Sequence, residues 1–203
     1  MFKIQKHFKF DMGHRIPTQK LDEKLALTTE NKCKRLHGHE YFVDVSLSGQ
    51  RLRIDGMLLD FNHLNFFKQM INSTLDHKFM IWIDDPVFEK LIRSFDLDKI
   101  ENISLLSIIN GVTSSIDKNN IISNIKDVIV GEIDSYKMTI TTTDEDLREY
   151  YNSFVVSSFI PTAEGLSRFF YNYLMLNLKN LATVDLVTVH ETSTSMASYN
   201  SSR

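Results

Sequence analysis

The chain has 203 residues, of which 42% are hydrophobic and 24% are charged, so it can bury the core of an ordinary globular domain. Its formal net charge of -3 provides no global attraction to nucleic acid or to an anionic membrane, so any anionic ligand must be bound locally. No stretch approaches the roughly 20 apolar residues of a membrane helix, and the single cysteine, Cys33, excludes an intramolecular disulfide. We therefore expect a cytoplasmic protein with no membrane partner and no nucleic-acid partner.

Two predicted strands carry histidines at one end of their apolar faces. The even positions from Phe2 to His14 are nearly all apolar, with the period of two that is typical of a half-buried strand, and His14 ends this face. The odd positions from His37 to Leu47 repeat the pattern, and here His37 and His39 begin it. If the two strands pair antiparallel, the end of the first lies beside the start of the second. The three imidazoles are then expected to converge.

Two helices are predicted from capping residues and apolar spacing. A short strand over residues 56–59 leads into Asp60, a candidate N-cap for a helix that extends to Leu75. Pro161 opens a second helix, in which apolar residues recur at the i, i+3, i+4, i+7 spacing of an amphipathic stripe. These helices supply the apolar faces that can cover one side of a sheet.

The last predicted strand, about Val184 to Thr192, places Glu191 on the same side as its apolar residues. A carboxylate on a core face needs a partner, because leaving it unpaired costs several kcal/mol. Two partners are open at this stage: a ligand with two adjacent N–H donors, or a salt bridge with a nearby lysine or arginine.

The segment from residue 84 to residue 153 has a looser pattern. Residues 86–95 favour a helix, and residues 127–142 favour a hairpin around Gly131. The segment is too long and too apolar for a bare linker. We therefore expect a single domain over residues 1–203, with an insertion at about residues 85–153.

The pair His37 and His39 is the strongest chemical signal. The two side chains lie on one face of a strand, about 7 Å apart along the chain, so they can share one metal ion. With His14 from the neighbouring strand they form the neutral three-nitrogen set of catalytic zinc, whose fourth position stays open. Two surface or core histidines without metal are the alternative, and the matching position of His14 argues against it.

Three further residues are candidates for proton transfer. Cys33 lies four residues before His37 among lysines and an arginine, and positive charge favours the reactive thiolate; the alternative is a small buried apolar side chain. Asp76 and His77 form an adjacent carboxylate–imidazole pair that is able to relay a proton, although such a pair is also common for structural reasons.

Together these residues resemble the family of 6-pyruvoyl-tetrahydropterin synthase and QueD, which is 6-carboxy-5,6,7,8-tetrahydropterin synthase. The resemblance rests on six motifs in the family's order: Phe10-Asp11-Met12-Gly13-His14, Cys33-Lys34-Arg35-Leu36-His37-Gly38-His39, Leu59-Asp60-Phe61, Leu75-Asp76-His77, Pro161-Thr162-Ala163-Glu164 and His190-Glu191-Thr192. It covers residues 1 to about 84 and 154 to 200. The middle segment is unmatched, and it makes the chain longer than typical QueD enzymes.

The resemblance implies an α+β tunnelling fold: an antiparallel four-stranded sheet with two helices on one face, here with an insertion. It implies a homo-oligomer, a hexamer built as a dimer of trimers, with active sites between subunits. The insertion could lengthen the sheet, cap the pocket or block this assembly.

The resemblance also assigns roles to the candidate residues. The zinc (Zn²⁺) ligands are His14, His37 and His39. Cys33 is the proton acceptor and Asp76 with His77 is its relay. Glu191, with Thr192 beside it, anchors the pterin, because the pyrimidine edge presents an amino group and a ring N–H to the two carboxylate oxygens.

The implied reaction is zinc-dependent lyase chemistry on 7,8-dihydroneopterin triphosphate. The three-residue gap between Cys33 and His37 resembles the QueD type, which yields 6-carboxytetrahydropterin, acetaldehyde and triphosphate on the route to 7-deazaguanines such as queuosine. Two alternatives stay open: a 6-pyruvoyl-tetrahydropterin synthase of the biopterin type, and a non-catalytic zinc-binding or pterin-binding protein.

Overall fold

The computed structural model describes residues 1–93, 97–179 and 181–201. Within these residues the strands are β1 (Phe2–His14), β2 (His37–Gly49), β3 (Lys78–Trp82), β4 (Asn102–Ser107), β5 (Thr113–Ile116), β6 (Ser135–Thr141), β7 (Phe154–Ser157), β8 (Thr183–Thr192) and β9 (Ser195–Tyr199). The α-helices are α1 (Asn65–Thr74), α2 (Phe88–Ile92), α3 (Ile121–Val128), α4 (Glu145–Asn152) and α5 (Ala163–Leu178). The chain divides into two compact units.

The first unit consists of residues 1–12, 39–76 and 162–203. Its long strands are amphipathic, as the period of two predicts: the even side chains of β1 from Phe8 to Met12 are buried, while the odd ones face solvent. β2 pairs antiparallel with β8, and β8 pairs antiparallel with β9. The buried face of β1 meets both long helices, because Phe8 contacts Phe67 of α1 edge-on at 4.9 Å and Phe10 contacts Phe170 of α5 edge-on at 6.0 Å between ring centroids.

Both predicted helices of this unit are present, the first with its predicted cap, Asp60, and the second with Thr162 as its cap. The Asp60 carboxylate accepts a hydrogen bond from the Asn62 N–H at 2.8 Å, where it caps a short 3-10 turn that runs into α1. The Thr162 hydroxyl accepts a hydrogen bond from the Gly165 N–H at 3.2 Å at the start of α5. The structure thereby confirms the two helix starts at the positions where the capping residues stand.

The predicted strand over residues 56–59 is wrong. These residues form a turn, in which the Arg53 N–H donates to the Met57 carbonyl at 2.8 Å and Gly56 takes a φ of 79°. Leu58 and Leu59 produce the apolar pattern of this segment. They are buried by side-chain packing, and neither belongs to a strand.

The second unit consists of residues 13–38 and 77–161. Its five strands are hydrogen-bonded in the order β5-β4-β6-β7-β3; β3 and β7 run parallel and the other neighbours run antiparallel. An aliphatic core from these strands and from α2, α3 and α4 supports them; its fully buried members include Ile81, Ile92, Ile103, Leu105, Ile125, Met138, Tyr151 and Val156. The second unit therefore has a substantial apolar core, to which the insertion contributes most of the residues.

The fold class α+β is correct, but the predicted sheet of four strands is not. The described residues contain nine strands, and five of them, in the order β5-β4-β6-β7-β3, belong to the second unit, where β3 and β7 pair in parallel. Three of these five, β4, β5 and β6, come from residues 85–153, where short strands of four to seven residues give too few alternating positions to be recognised by periodicity.

The predicted hairpin over residues 127–142 is also wrong. Its first arm is the end of α3, Gly131 lies in the following turn with a φ of 101°, and β6 pairs with β4 and β7 instead. The predicted helix over residues 86–95 is present as the shorter α2, and residues 94 and 95 lie outside the described residues. No helix within the described residues is both long enough and apolar enough to cross a bilayer.

Candidate metal centre and active site

His14 is the last residue of β1, and its side chain is completely buried. Its Nδ1 lies 2.6 Å from the carbonyl oxygen of Pro161. A carbonyl oxygen can only accept a hydrogen bond, so this contact places the proton on Nδ1 and leaves the lone pair on Nε2. A neutral imidazole in this tautomer is a metal ligand through Nε2.

His37 opens β2 and has the same arrangement. Its Nδ1 lies 2.8 Å from the carbonyl oxygen of Arg35, so Nδ1 again donates and Nε2 carries the lone pair. The rings of His14 and His37 are 4.5 Å apart between centroids. Two imidazoles are therefore fixed in the ligand tautomer by backbone carbonyls.

His39 is two residues further along β2, on the same side of the strand. Its ring packs edge-on against Tyr41 at 5.7 Å between centroids. Its Nε2 lies 3.9 Å from Oε1 of Glu191, so a carboxylate of β8 borders the third histidine.

The structure brings the three histidines together. Each offers one ligand nitrogen, and these atoms all lie within 4.8 Å of one another. The donor set fits zinc: all three ligands are imidazoles, and two of them donate their second ring N–H to a carbonyl, the contact that usually orients a zinc-binding histidine. This group could hold a metal ion, and Cys33 is not part of it.

Cys33 lies in a short 3-10 turn, Lys32–Lys34, and is half-buried. Its N–H donates to the Gln19 side-chain oxygen at 2.9 Å, and its carbonyl accepts from the Ile16 N–H at 2.7 Å. The second bond ties the cysteine to the chain only two residues after His14. The thiol is therefore held near the end of β1 by backbone contacts.

The positive charges around Cys33 are partly compensated. The carboxylate of Glu30 contacts the Arg35 guanidinium and lies 3.7 Å from Nζ of Lys32. Of the three predicted cations, Lys34 is the one without a contact to Glu30. The ion pairs of Glu30 with Lys32 and Arg35 are exposed, and they are weak because solvent screens them.

Asp76 and His77 follow α1 and lie beside an aspartate of β1. Oδ1 of Asp76 accepts a hydrogen bond from the Asp11 N–H at 2.9 Å. One ligand-type atom each of Asp11, Asp76 and His77 lies within 4.8 Å of the others. His77 has a φ of 57°, in the left-handed region that few residues other than glycine adopt. The backbone is therefore turned sharply where the imidazole leaves the helix.

Glu191 stands at an irregularity in the sheet. Along the pairing of β8 with β9, His190 faces Met196 and Thr192 faces Ser195, so the register shifts at Glu191. Such a bulge changes the direction of a side chain, and bulges are frequent next to active sites. The carboxylate is only partly exposed, whereas Thr192 is exposed and its hydroxyl accepts from the Thr194 N–H at 3.2 Å.

The comparisons with known proteins agree with this geometry. The family model described as 6-pyruvoyl tetrahydropterin synthase matches residues 3–202. The chain belongs to that family. This is an enzyme family of tetrahydropterin synthases, and the resemblance that the motifs indicate is confirmed.

Two relatives show that the family likeness extends through the insertion. A 6-carboxy-5,6,7,8-tetrahydropterin synthase of Aquifex aeolicus is 28% identical over 211 residues, which cover 98% of this chain and 97% of the relative. A crystal structure of an uncharacterized protein from Wolinella succinogenes is 30% identical, with a TM-score of 0.73, and covers 99% of this chain and 98% of its own. The likeness to a named synthase and the likeness to a solved structure therefore both extend over nearly the whole chain.

The fold is also found in a eukaryotic member. The structure of Caenorhabditis elegans 6-pyruvoyl tetrahydropterin synthase aligns with 99% of this chain and 96% of its own, at 18% identity and a TM-score of 0.50. At this identity the comparison establishes the fold alone.

Three contributors to this candidate site were missed from the sequence. Two are the carbonyls of Pro161 and Arg35, which set the histidine tautomers. Every residue has a carbonyl, so no side-chain pattern identifies these two. The third is Asp11, which stands in the motif before His14, but strand parity places it on the opposite face. A comparison of motifs could have found Asp11, whereas periodicity could not.

Proposed function

We propose that the chain is a zinc-dependent 6-carboxy-5,6,7,8-tetrahydropterin synthase. It would convert 7,8-dihydroneopterin triphosphate to 6-carboxytetrahydropterin, acetaldehyde and triphosphate, on a route to 7-deazaguanines such as queuosine. The observation that carries the proposal is the group of three histidines, two of them fixed as Nε2 ligands by backbone carbonyls. The name of the Aquifex aeolicus relative, which aligns with nearly the whole chain, supports the choice of product.

His14, His37 and His39 are the proposed zinc ligands. These residues would hold the zinc ion, which would supply Lewis-acid chemistry toward a hydroxyl group on the substrate side chain. The burial of His14 supports this role. Its imidazole is enclosed and its Nδ1 is already hydrogen-bonded, so the ring would need little rearrangement to bind a metal ion through Nε2.

Cys33 is the proposed base. As a thiolate it takes a proton from a side-chain carbon of the substrate, which assists loss of the triphosphate. The position of Cys33 supports the role: the hydrogen bond from Ile16 holds its backbone close in space to the end of β1, and its side chain is half-buried. It lies outside the histidine ligand group, so the thiol stays available for proton transfer.

Asp76 and His77 are the proposed relay. The carboxylate keeps the imidazole oriented, so that the ring can return a proton to the product. The Asp11 N–H, which donates to Asp76, stabilises the charged carboxylate in this arrangement.

Glu191 is the proposed anchor for the pterin, with Thr192 beside it. Its two carboxylate oxygens match the amino group and ring N–H of the pyrimidine edge. Its position beside His39 supports this role, because a pterin held there would lie next to the proposed metal ligands. The exposed Thr192 hydroxyl then borders the same end of β8.

The proposal includes a homo-oligomer, a hexamer made as a dimer of trimers, in the cytoplasm. Its partner is the pterin substrate, with no nucleic acid and no membrane. This part rests on the family resemblance and on the negative net charge. Light scattering on the purified protein measures the assembly directly.

The decisive experiment is a product analysis. The zinc-loaded chain is incubated with 7,8-dihydroneopterin triphosphate, the pterins are identified by mass spectrometry and aldehyde is trapped as a hydrazone. Carboxytetrahydropterin with one equivalent of acetaldehyde supports the proposal. A pyruvoyl product without acetaldehyde assigns the biopterin-type reaction instead, and no turnover with zinc bound assigns a binding protein. Chelator-treated protein, before and after zinc is restored, is the matched control.

A further inference from the structure

A cavity of about 750 Å³ lies within the first compact unit at the end of β2 opposite to the histidines. Gly49, the last residue of β2, lines it. Ten residues separate Gly49 from His39, which corresponds to roughly 33 Å along an extended strand. The cavity is therefore remote from the proposed metal centre, and the proposed reaction leaves it without a role.

The charged groups around this cavity are all cations. Arg51, Arg53 and Lys179 line it, and no aspartate or glutamate is among its described lining residues. Arg53 is 3.3 Å from a carboxylate oxygen of Asp55, whereas the part of the chain that the structure describes gives Arg51 and Lys179 no ion pair. Three positive charges are thus concentrated in one place on a chain whose net charge is -3.

The floor and rim of the cavity are apolar. Leu58 and Leu59 are buried below it, while Leu52 and Leu181 remain 41% and 57% exposed at its edge. A side chain at Gly49 would place its Cβ 2.4 Å from Leu58, so the glycine is what lets the floor approach the strand. Exposed leucines beside three cations, of which only Arg53 has an ion pair among the described residues, are a combination that a partly apolar anion would cover.

We propose that this cavity binds a phosphorylated small molecule with an apolar or aromatic portion, of which a nucleotide is the simplest example. Guanidinium groups match phosphate oxygens with two parallel hydrogen bonds, and an ammonium group adds a point charge. The volume is in the range of roughly 300–1,000 Å³ that is typical of small-molecule sites. The leucines take the apolar portion and the cations take the phosphates.

The test is binding of a fluorescent nucleotide, mant-ATP, to the purified chain, with inorganic triphosphate as competitor. The triple variant Arg51→Gln/Arg53→Gln/Lys179→Gln is expected to bind at least tenfold more weakly. Ala182→Phe, which fills the cavity without changing charge, is expected to weaken mant-ATP binding as well. The matched control, Lys20→Gln/Lys24→Gln/Arg93→Gln, removes three exposed charges elsewhere and should leave affinity unchanged.

Further variants distinguish binding of mant-ATP in the cavity from binding of mant-ATP elsewhere on the chain. If His39→Ala abolishes mant-ATP binding while the triple variant keeps it, the probe occupies the histidine site and the proposal is wrong. Equal affinity of the wild type and the triple variant also overturns it. If the triple variant instead changes the molar mass measured by light scattering, the patch is a contact between copies of the chain and not a ligand site.

Discussion

The histidine group and the insertion both bury polar side chains, but they use them differently. At His14 and His37 one ring nitrogen donates to a backbone carbonyl, and the lone pair of the other remains suited to a metal. In the insertion, Asp134 accepts hydrogen bonds from the Ser107 hydroxyl at 2.7 Å and from the Ser135 N–H at 2.7 Å. The hydrogen-bonding needs of the Asp134 carboxylate are thus met by donors of the protein itself.

This difference separates residues that act on a ligand from residues that hold the chain together. Buried polar groups whose partners all lie in the protein stabilise the fold, and removing one leaves others unsatisfied. A side chain that the protein orients through one polar atom, while a second atom keeps a lone pair for a metal or ligand, is typical of a ligand site. Substitutions in the histidine group should therefore reduce zinc binding and activity, whereas substitutions in the insertion should reduce stability.

The largest effect is expected for His37→Ala. Loss of one of three imidazoles should remove zinc and abolish product formation, while the chain stays folded. Zinc content by mass spectrometry, product formation and the circular dichroism spectrum measure the three quantities. His63→Ala, which removes an exposed histidine outside the group, should change none of them. Full zinc content in His37→Ala would remove this histidine from the metal site.

The next effect is expected for Cys33→Ala. Loss of a general base typically lowers kcat by a factor on the order of 10² to 10⁴, and zinc content should be unchanged because Cys33 lies outside the ligand group. Steady-state kinetics with parallel metal analysis checks both. A Cys33→Ala enzyme with full activity would eliminate the proposed base, and one without zinc would make the thiol a ligand.

In the insertion, Asp134→Ala should lower the free energy of unfolding by about 3 kcal/mol, because several donors around a buried carboxylate lose their acceptor. Urea unfolding followed by circular dichroism measures the change. The kcat per folded molecule should equal that of the wild type. A large loss of kcat at full folding would contradict the separation between the two regions.

A smaller loss of stability is expected for Tyr151→Phe. The buried Tyr151 hydroxyl donates to the Ile92 carbonyl, and burial raises its pKa to about 12, so it remains a donor at every physiological pH. Removing one neutral hydrogen bond should cost about 1 kcal/mol. Tyr199→Phe is the matched control, because it removes a tyrosine hydroxyl that has no hydrogen bond among the described residues.

The smallest effect concerns acid stability through Asp44 of β2. Burial raises the pKa of this carboxyl, but hydrogen bonds with His7 and His190 outweigh burial and hold the pKa below its ordinary value of 3.8. A lowered pKa stabilises the folded state above pH 3.8, and this contribution disappears as the pH falls through the folded-state pKa. His7 is largely exposed, so the contribution should stay below about 1 kcal/mol. Unfolding of Asp44→Asn compared with the wild type, at pH 7 and at pH 3, measures it.

The sequence predicted the first unit far better than the insertion. β1 and β2 have 13 residues each, so their alternation is long enough to fix both the strand and the face that carries the histidines. In the insertion β5 has four residues and β4 has six, and their identity depends on partners far away in the chain. Local periodicity contains little information about such pairings.

By itself the sequence determined the α+β class, the family and the three histidines that converge, because each follows from local alternation or from side chains in a fixed order. Only the tertiary structure decided which nitrogen of His14 and His37 carries the proton, that Asp11 joins Asp76, and that the insertion contributes β4, β5 and β6 to the strands of the second unit. These features depend on backbone groups that every residue has and on segments distant in the chain. Their positions are set by packing and long-range hydrogen bonding, which side-chain patterns do not record.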